Sequence, residues 1–143
     1  MTRVAFVCVG NAGRSQMATA FAERERDRRG QDIDVVTGGT DPADHVHEAV
    51  VEVMREEGID IGDRPPREIT PEDIENVDDV VTMGCSVDQF RPDDWEGESQ
   101  QWDIEHPGGD SIAAVRRQRD EIERRVSDLF DELEAEDGSA SEG

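Results

Sequence analysis

The 143-residue sequence predicts an α/β domain of three layers, in which a four-stranded parallel sheet lies between helices. Three observations predict it. Short apolar runs recur along the chain, they alternate with segments of helical period, and glycine-bearing turns close their carboxyl ends. Strands separated by helices pair in parallel through right-handed crossovers, and such sheets bind ligands beyond the carboxyl ends of their strands.

Val4 to Val9 is nearly all apolar and suits a strand buried on both faces. Gly10 to Gly13 turns into a helix from Arg14 to about Arg29, with Met17, Ala18, Phe21 and Ala22 on one face and Gly30 as its stop. Ile33 to Thr37 reads as the second strand, followed by the turn Gly38-Gly39-Thr40-Asp41-Pro42. Val46, Ala49, Val50, Val53 and Met54 keep helical spacing up to Gly58. After Arg64-Pro65-Pro66, Thr70-Pro71-Glu72-Asp73 opens a short capped helix. Val80 to Met83 is a third strand ending at Gly84-Cys85, and a fourth is expected near Gln101 to Ile104. A last helix runs from Ser111 to about Glu134 on the stripe Ile112, Val115, Ile122, Val126, Leu129 and Leu133. The expected organisation is one domain over 1–135 with a disordered acidic tail over 136–143, since the tail lacks an apolar period.

Composition narrows the partners. Against 37 acidic residues stand 15 basic ones, all of them Arg, for a formal net charge of −22. Nucleic acid and anionic membranes are repelled by such a chain. No apolar stretch approaches the roughly 20 residues of a bilayer span, and the N-terminus carries no leader-like pattern. Two cysteines are too few for a disulfide framework, so a reduced cytoplasmic setting is expected, with thiols used for chemistry or packing. The carboxylates fall between periodic apolar residues, the pattern of a folded protein with an acidic shell suited to a salt-rich cytoplasm.

The stretch "VCVGNAGRSQMA" places Cys8 at the lip of the first turn and Arg14 six positions on. A turn from Val9, Gly10, Asn11, Ala12 and Gly13 into Arg14 and Ser15 points successive backbone N–H groups inward, an anion-sized nest at a helix N-terminus. Arg14 adds a planar fork of donors that matches a tetrahedral oxyanion. Donors, helix dipole and guanidinium together favour the Cys8 thiolate, the nucleophilic form of the side chain. Ser15 can donate a hydrogen bond to the sulfur, and the Asn11 side chain can fix neighbouring loop carbonyls.

"CVGNAGRS" resembles the phosphate-binding loop of the low-molecular-weight protein tyrosine phosphatases and of the arsenate reductases that share their fold. The likeness continues through "TGGTDPADHVHEAV", "EEGIDIGDRPPREIT", "DDVVTMGC", "WDIEHPGG" and "AVRRQRDEIERRV". "RSQMA", in place of the phosphatases' usual Arg-Ser-Pro, and "TMGC" are most similar to the arsenate reductase branch that uses a small-molecule thiol. The resemblance implies Cys8 as nucleophile, Arg14 as oxyanion holder, the Val9–Ser15 amides as cradle and Ser15 as the residue that tunes the thiolate. It implies no bound cofactor, an oxyanion substrate, and as co-substrate a low-molecular-weight thiol or a thioredoxin- or glutaredoxin-type reductant. The family's Asp-Pro acid is absent. His106 precedes Pro107 and Glu105 precedes His106; either of these two is a candidate proton donor, and the alternative is that both are merely loop residues by a turn proline.

Cys85 is the one internal candidate to resolve a Cys8 adduct, and a packed, inert thiol is its other reading. Relatives coupled to thioredoxin carry a further cysteine a few residues on, where this chain reads Ser86-Val87-Asp88-Gln89-Phe90. His45 and His47 are too weakly patterned to propose a metal. Arg116, Arg117, Arg119, Arg124 and Arg125 alternate with acids as a salt-bridged face. Trp95 and Trp102 cover core or wall a pocket. Arsenate reduction leads, tyrosine phosphatase activity is the alternative, and a non-catalytic oxyanion-binding module is the third reading. The acidic shell carries its own expectation: thermal unfolding in low and in multimolar KCl shows a melting temperature that rises with salt, and a salt-independent transition contradicts it.

Overall fold

The computed structural model describes residues 2–104 and 111–142, with side chains described through Leu133. Strand β1 (Thr2–Cys8) leads to helix α1 (Arg14–Arg29), then strand β2 (Ile33–Gly39), helix α2 (Glu48–Arg55) and the short helix α3 (Pro71–Ile74). Strand β3 (Asp79–Met83), a 3₁₀ turn (Val87–Gln89), strand β4 (Glu98–Gln101) and helix α4 (Ile112–Glu142) follow. The sheet has four strands in the order β2-β1-β3-β4, and every pair is parallel. The expected α/β class and four-stranded parallel sheet are what the chain adopts.

β1 is central because its residues are apolar on both faces. Val4, Phe6 and Cys8 face one hydrophobic cluster with Met17, Phe21, Met54, Val126 and Phe130, and Ala5 and Val7 face a second with Ile74, Val80, Phe90 and Trp95. α1 starts and ends at the expected residues, and Gly30 N–H closes it on Arg26 O. Its first half is buried on all sides from Arg14 to Ala22, where the spacing had indicated one inner face. Thr70 caps α3 through the reciprocal pair with Asp73 that its sequence foretells.

Two boundaries differ from expectation. β4 is Glu98–Gln101, not Gln101–Ile104, and all four of its residues are exposed. The apolar Trp102 and Ile104 drew the expected strand downstream; both are buried just after the strand ends, and Trp102 N–H bonds Thr82 O at 2.8 Å. α4 is helical to Glu142, past the expected end near Glu134. Glu134, Ala135 and Glu136 favour helical backbone after the apolar stripe has stopped, whereas Asp137, Gly138 and Ser139 do not, so propensity accounts for the start of this extension and not for its end.

Ion pairs stitch the helices. Arg24 pairs with Glu123 and Arg29 with Asp131, joining α1 to α4, while Arg116 and Arg119 converge on Glu56 at the end of α2. Arg119 also donates to Val53 O at 2.9 Å. Hydrogen bonds from Arg116, then Arg119, hold the Glu56 carboxyl down at about 2 from its ordinary 4.5. A depressed carboxylate contributes stability that is present above its unfolded value and lost as pH falls through the folded one. Glu56→Gln therefore lowers the denaturation midpoint at neutral pH, and the gap to the unsubstituted protein closes between pH 4.5 and 2; a pH-independent gap in chemical denaturation contradicts this.

Candidate active site

β1 ends at Cys8, α1 begins at Arg14, and residues 9–13 form the loop between them. The carbonyls of this loop are all turned outward. Thr40 N–H bonds Cys8 O (3.1 Å), Asp41 bonds Val9 O (2.8 Å), Ala43 bonds Gly10 O (2.9 Å), His47 bonds Ala12 O (2.9 Å) and Met17 bonds Gly13 O (2.9 Å). Asn11 O accepts from the Gln16 side chain at 3.0 Å. A loop whose oxygens all face away presents its N–H groups to the other side, where a helix start adds its own. Gly13 gives α1 no side-chain cap, so these donors are left for a ligand.

Cys8 is 2 % exposed at the base of this cradle. Its sulfur accepts from Asn11 N–H at 3.3 Å and lies 2.9 Å from Ser15 Oγ. Asn11 sits at φ 50°, in the left-handed region, and is fully buried. The sequence suggested that its side chain would fix loop carbonyls; instead Nδ2 donates to Ser15 Oγ (2.7 Å) and Thr37 Oγ1 (2.9 Å), and Oδ1 accepts from Arg67 N–H (2.9 Å). Thr37 Oγ1 spends its own hydrogen on Phe6 O at 3.0 Å. Ser15, accepting from Asn11, is left to donate to the sulfur.

Arg14 is 5 % exposed, and its Nη1 donates to Ile104 O at 2.9 Å. Its Nε is buried without a hydrogen-bond partner among the described residues. That donor, in a guanidinium beside the loop, is a place for an oxyanion to bind. Gly84, at φ 80°, covers the guanidinium so closely that a Cβ there would stand 2.6 Å from Nη1. Gly39 makes a similar approach on the other side, its absent Cβ falling 2.4 Å from Val9 O. A cavity of about 550 Å³ is lined by Gly84, Cys85, Gln101, Trp102 and Asp103, and Gly84 is the lining residue that also lies against the Arg14 guanidinium.

The second thiol is placed differently. Cys8 pairs with Met83 across the β1–β3 ladder, so Cys85 lies beyond the paired residues. Cys85 packs with the cluster of Ala5 and Val7, its Sγ directed at Val7 O (3.8 Å), whereas Cys8 packs with the cluster on the opposite face. Both are free thiols. Glu105 and His106 lie outside the described residues. Among the described residues no group of three or more His, Cys, Asp or Glu gathers as a metal would need, and no helix is long and apolar enough to cross a membrane. Trp95 belongs to the α3 side, its indole N–H on Val77 O; Trp102 packs against Phe6 and borders the cavity.

Sequence reasoning brought Cys8, Arg14, Ser15 and the loop to one place, as the structure does. It missed Thr37, Arg67, Gly84 and Ile104 O, which reach the site from distant segments. No local pattern marks them. Gln16, within "RSQMA", also belongs to the site, through its side-chain bond to Asn11 O.

A thiol held over an amide cradle and closed by a buried guanidinium, at the carboxyl edge of a parallel sheet, defines a cysteine-dependent enzyme of oxyanion chemistry. The chain belongs to the low molecular weight phosphotyrosine protein phosphatase family, whose model matches residues 3–139. It is 52% identical over 138 residues to the "Putative arsenate reductase" of Halobacterium salinarum, covering 95% of this chain and 96% of that one. It is 32% identical over 133 residues to the glutaredoxin arsenate reductase of Synechocystis sp., covering 91% and 97%. The low molecular weight protein tyrosine phosphatase of T. tengcongensis superposes with a TM-score of 0.83 at 25% identity, covering 92% of this chain and 99% of that one.

Burial first, and the nearby Cys8 second, push the Cys85 thiol up from 9.0 to about 11. Mass-mapped alkylation therefore finds Cys85 slow to label at pH 8 and faster only as pH climbs towards 11. Labelling at pH 8 as rapid as that of a free cysteine contradicts the placement.

Proposed function

We propose that this protein is an arsenate reductase whose nucleophile is Cys8. The observation that carries the reading is the cradle: outward carbonyls, inward amides, and a buried Arg14 beside the one fully enclosed thiol. The similarity to arsenate reductases over nearly the whole chain supports the choice of oxyanion.

Arsenate sits on the N–H groups of Val9 to Ser15 with Arg14 forked onto two of its oxygens. Cys8 thiolate attacks arsenic, an S–As bond forms, and one oxygen leaves as water. Its protons come from the oxyanion itself, from solvent, or from Glu105 or His106. Ser15, aimed by Asn11, donates to the sulfur and steadies the charge before attack. A second thiol then attacks the Cys8 sulfur. The S–S bond forms, the S–As bond breaks with its electron pair kept by arsenic, and As(V) departs as arsenite, As(III). A further thiol returns Cys8 to the thiolate and carries away the disulfide.

That second thiol is external in this reading, a low-molecular-weight thiol or a glutaredoxin- or thioredoxin-type protein. Cys8 and Cys85 pack on opposite faces of the sheet, and a direct bridge needs their Cα atoms within about 4.4–6.8 Å with Cβ vectors facing. The cavity lined by Gly84, Cys85, Gln101, Trp102 and Asp103 gives the reductant its approach. Free thiols throughout suit a reducing cytoplasm, and the −22 charge suits one rich in salt.

Phosphotyrosine hydrolysis is the second reading, favoured by the family model and the superposed phosphatase. On the same loop, Cys8 would form a phosphoenzyme that water hydrolyses. Expelling a phenolate gains about 10²–10⁴ from a positioned acid, and the Asp-Pro acid is absent here, which weighs against it.

Arsenate-dependent thiol oxidation with arsenite release is the expected activity, assayed beside hydrolysis of an aryl phosphate. Cys8→Ser reduces it to background, and Arg14→Lys, which keeps the charge but loses the fork, lowers kcat by about 10²-fold. Mass spectrometry of protein held with arsenate and thiol finds a mixed disulfide on Cys8. An intramolecular Cys8–Cys85 bond overturns the external route, and vigorous aryl phosphate hydrolysis without arsenite overturns the reductase. Oxyanion binding with turnover of neither substrate leaves the non-catalytic reading.

A further inference from the structure

Among the loop carbonyls from Cys8 to Gly13, one is treated unlike the rest. Those of Cys8, Val9, Gly10, Ala12 and Gly13 are held by backbone N–H groups, whereas Asn11 O is held by a side chain, the Nε2 of Gln16 at 3.0 Å. The same nitrogen also reaches Asn11 Oδ1 at 3.3 Å. Gln16 is 1 % exposed, in the first turn of α1, and touches neither the sulfur nor the guanidinium by any hydrogen bond described. A buried amide in such a place is costly unless it is bonded, and both of its bonds go to one residue.

Asn11 is the residue with most to lose. It is the one non-glycine residue at positive φ among those described, a conformation that side chains adopt reluctantly. Its amide must also be the right way round. With Oδ1 towards Arg67 N–H and Gln16 Nε2, it meets two donors, and Nδ2 is then free to donate to Ser15 and Thr37. Turned over, Nδ2 would face those two donors, and Oδ1 would draw the Ser15 hydrogen away from Cys8. Gln16 therefore fixes two things together, the backbone turn and the direction of the proton chain.

We propose that Gln16 is a positioning residue, which clamps Asn11 in the left-handed turn and through it aims the Ser15 hydroxyl at the Cys8 sulfur. This rests on the reading of Cys8 as the reacting thiol, but not on which oxyanion it attacks.

The test uses the alkylation rate of Cys8 by iodoacetamide, mapped by mass spectrometry, which needs no substrate. Gln16→Met keeps the volume and removes both donors. The Cys8 rate falls about tenfold, as expected when a buried acceptor loses its partner, while the Cys85 rate in the same sample holds. Gln16→Glu, similar in shape but with an acceptor-only carboxylate facing Asn11 O and Oδ1, falls at least as far and serves wherever the Met variant does not fold. A double-mutant cycle separates the clamp from plain packing: in an Asn11→Gly background, where glycine takes the turn without help and no side-chain amide remains to be oriented, Gln16→Met lowers the Cys8 rate by much less than tenfold, the residue-11 carbonyl being the one acceptor still bared. Unchanged Cys8 alkylation in folded Gln16→Met or Gln16→Glu overturns the proposal, as does a full tenfold loss in the Asn11→Gly background. A protein that reduces no arsenate yet shows this cycle refutes the reductase and leaves the clamp standing.

Discussion

The site depends on where the oxygen atoms of one short loop point. Thr40, Asp41, Ala43 and His47, in the segment after β2, draw the carbonyls of Cys8, Val9, Gly10 and Ala12 away from the site. That segment is in reach because β1 and β2 are paired in register from Thr2 with Ile33 to Cys8 with Gly39. Two neighbouring strands ending level let the chain leaving one brace the loop leaving the other. Without the brace, a six-residue run of peptide groups would have oxygens and hydrogens facing the ligand in mixture, and its field would largely cancel.

The brace is reinforced by close contacts that leave no room for side chains. Gly39 lets the end of β2 approach Val9 O, and Gly84 lets the end of β3 lie on the Arg14 guanidinium. The hydrogen bond from Arg14 to Ile104 O fixes the guanidinium from the β4 side. Among its described partners Arg14 is thus held by backbone alone, and none of them is a carboxylate. A cation kept in this way retains a charge that a buried salt bridge would have spent.

Much of this was legible in the residues. The apolar run of β1, the glycine-bearing turn and the start of α1 at Arg14 are local features, and local pattern places them. Gly30 and the Thr70–Asp73 cap are equally readable, because a helix stop and a capping box are written in a few consecutive residues. β4 was misplaced for the opposite reason: Glu-Ser-Gln-Gln has no apolar signature, and its strand character comes wholly from pairing with β3. Thr37, Arg67 and Ile104 join the site through tertiary approach, which spacing does not encode. Cys85 lies next to the right strand end, yet its neighbours belong to the other side of the sheet.

β4 is a strand of four exposed polar residues along one free border of the sheet. A chain carrying −22 charges is ordinarily kept apart from its copies by repulsion, but dissolved ions erase that protection within about a Debye length of 8 Å or less. At high ionic strength the form of the β4 border is what remains to oppose strand pairing along it. Being brief, with a glutamate at its start and side chains that gain nothing by leaving water, it makes a poor template for fibril growth. The guard on this edge is thereby written into geometry, which added salt does not remove.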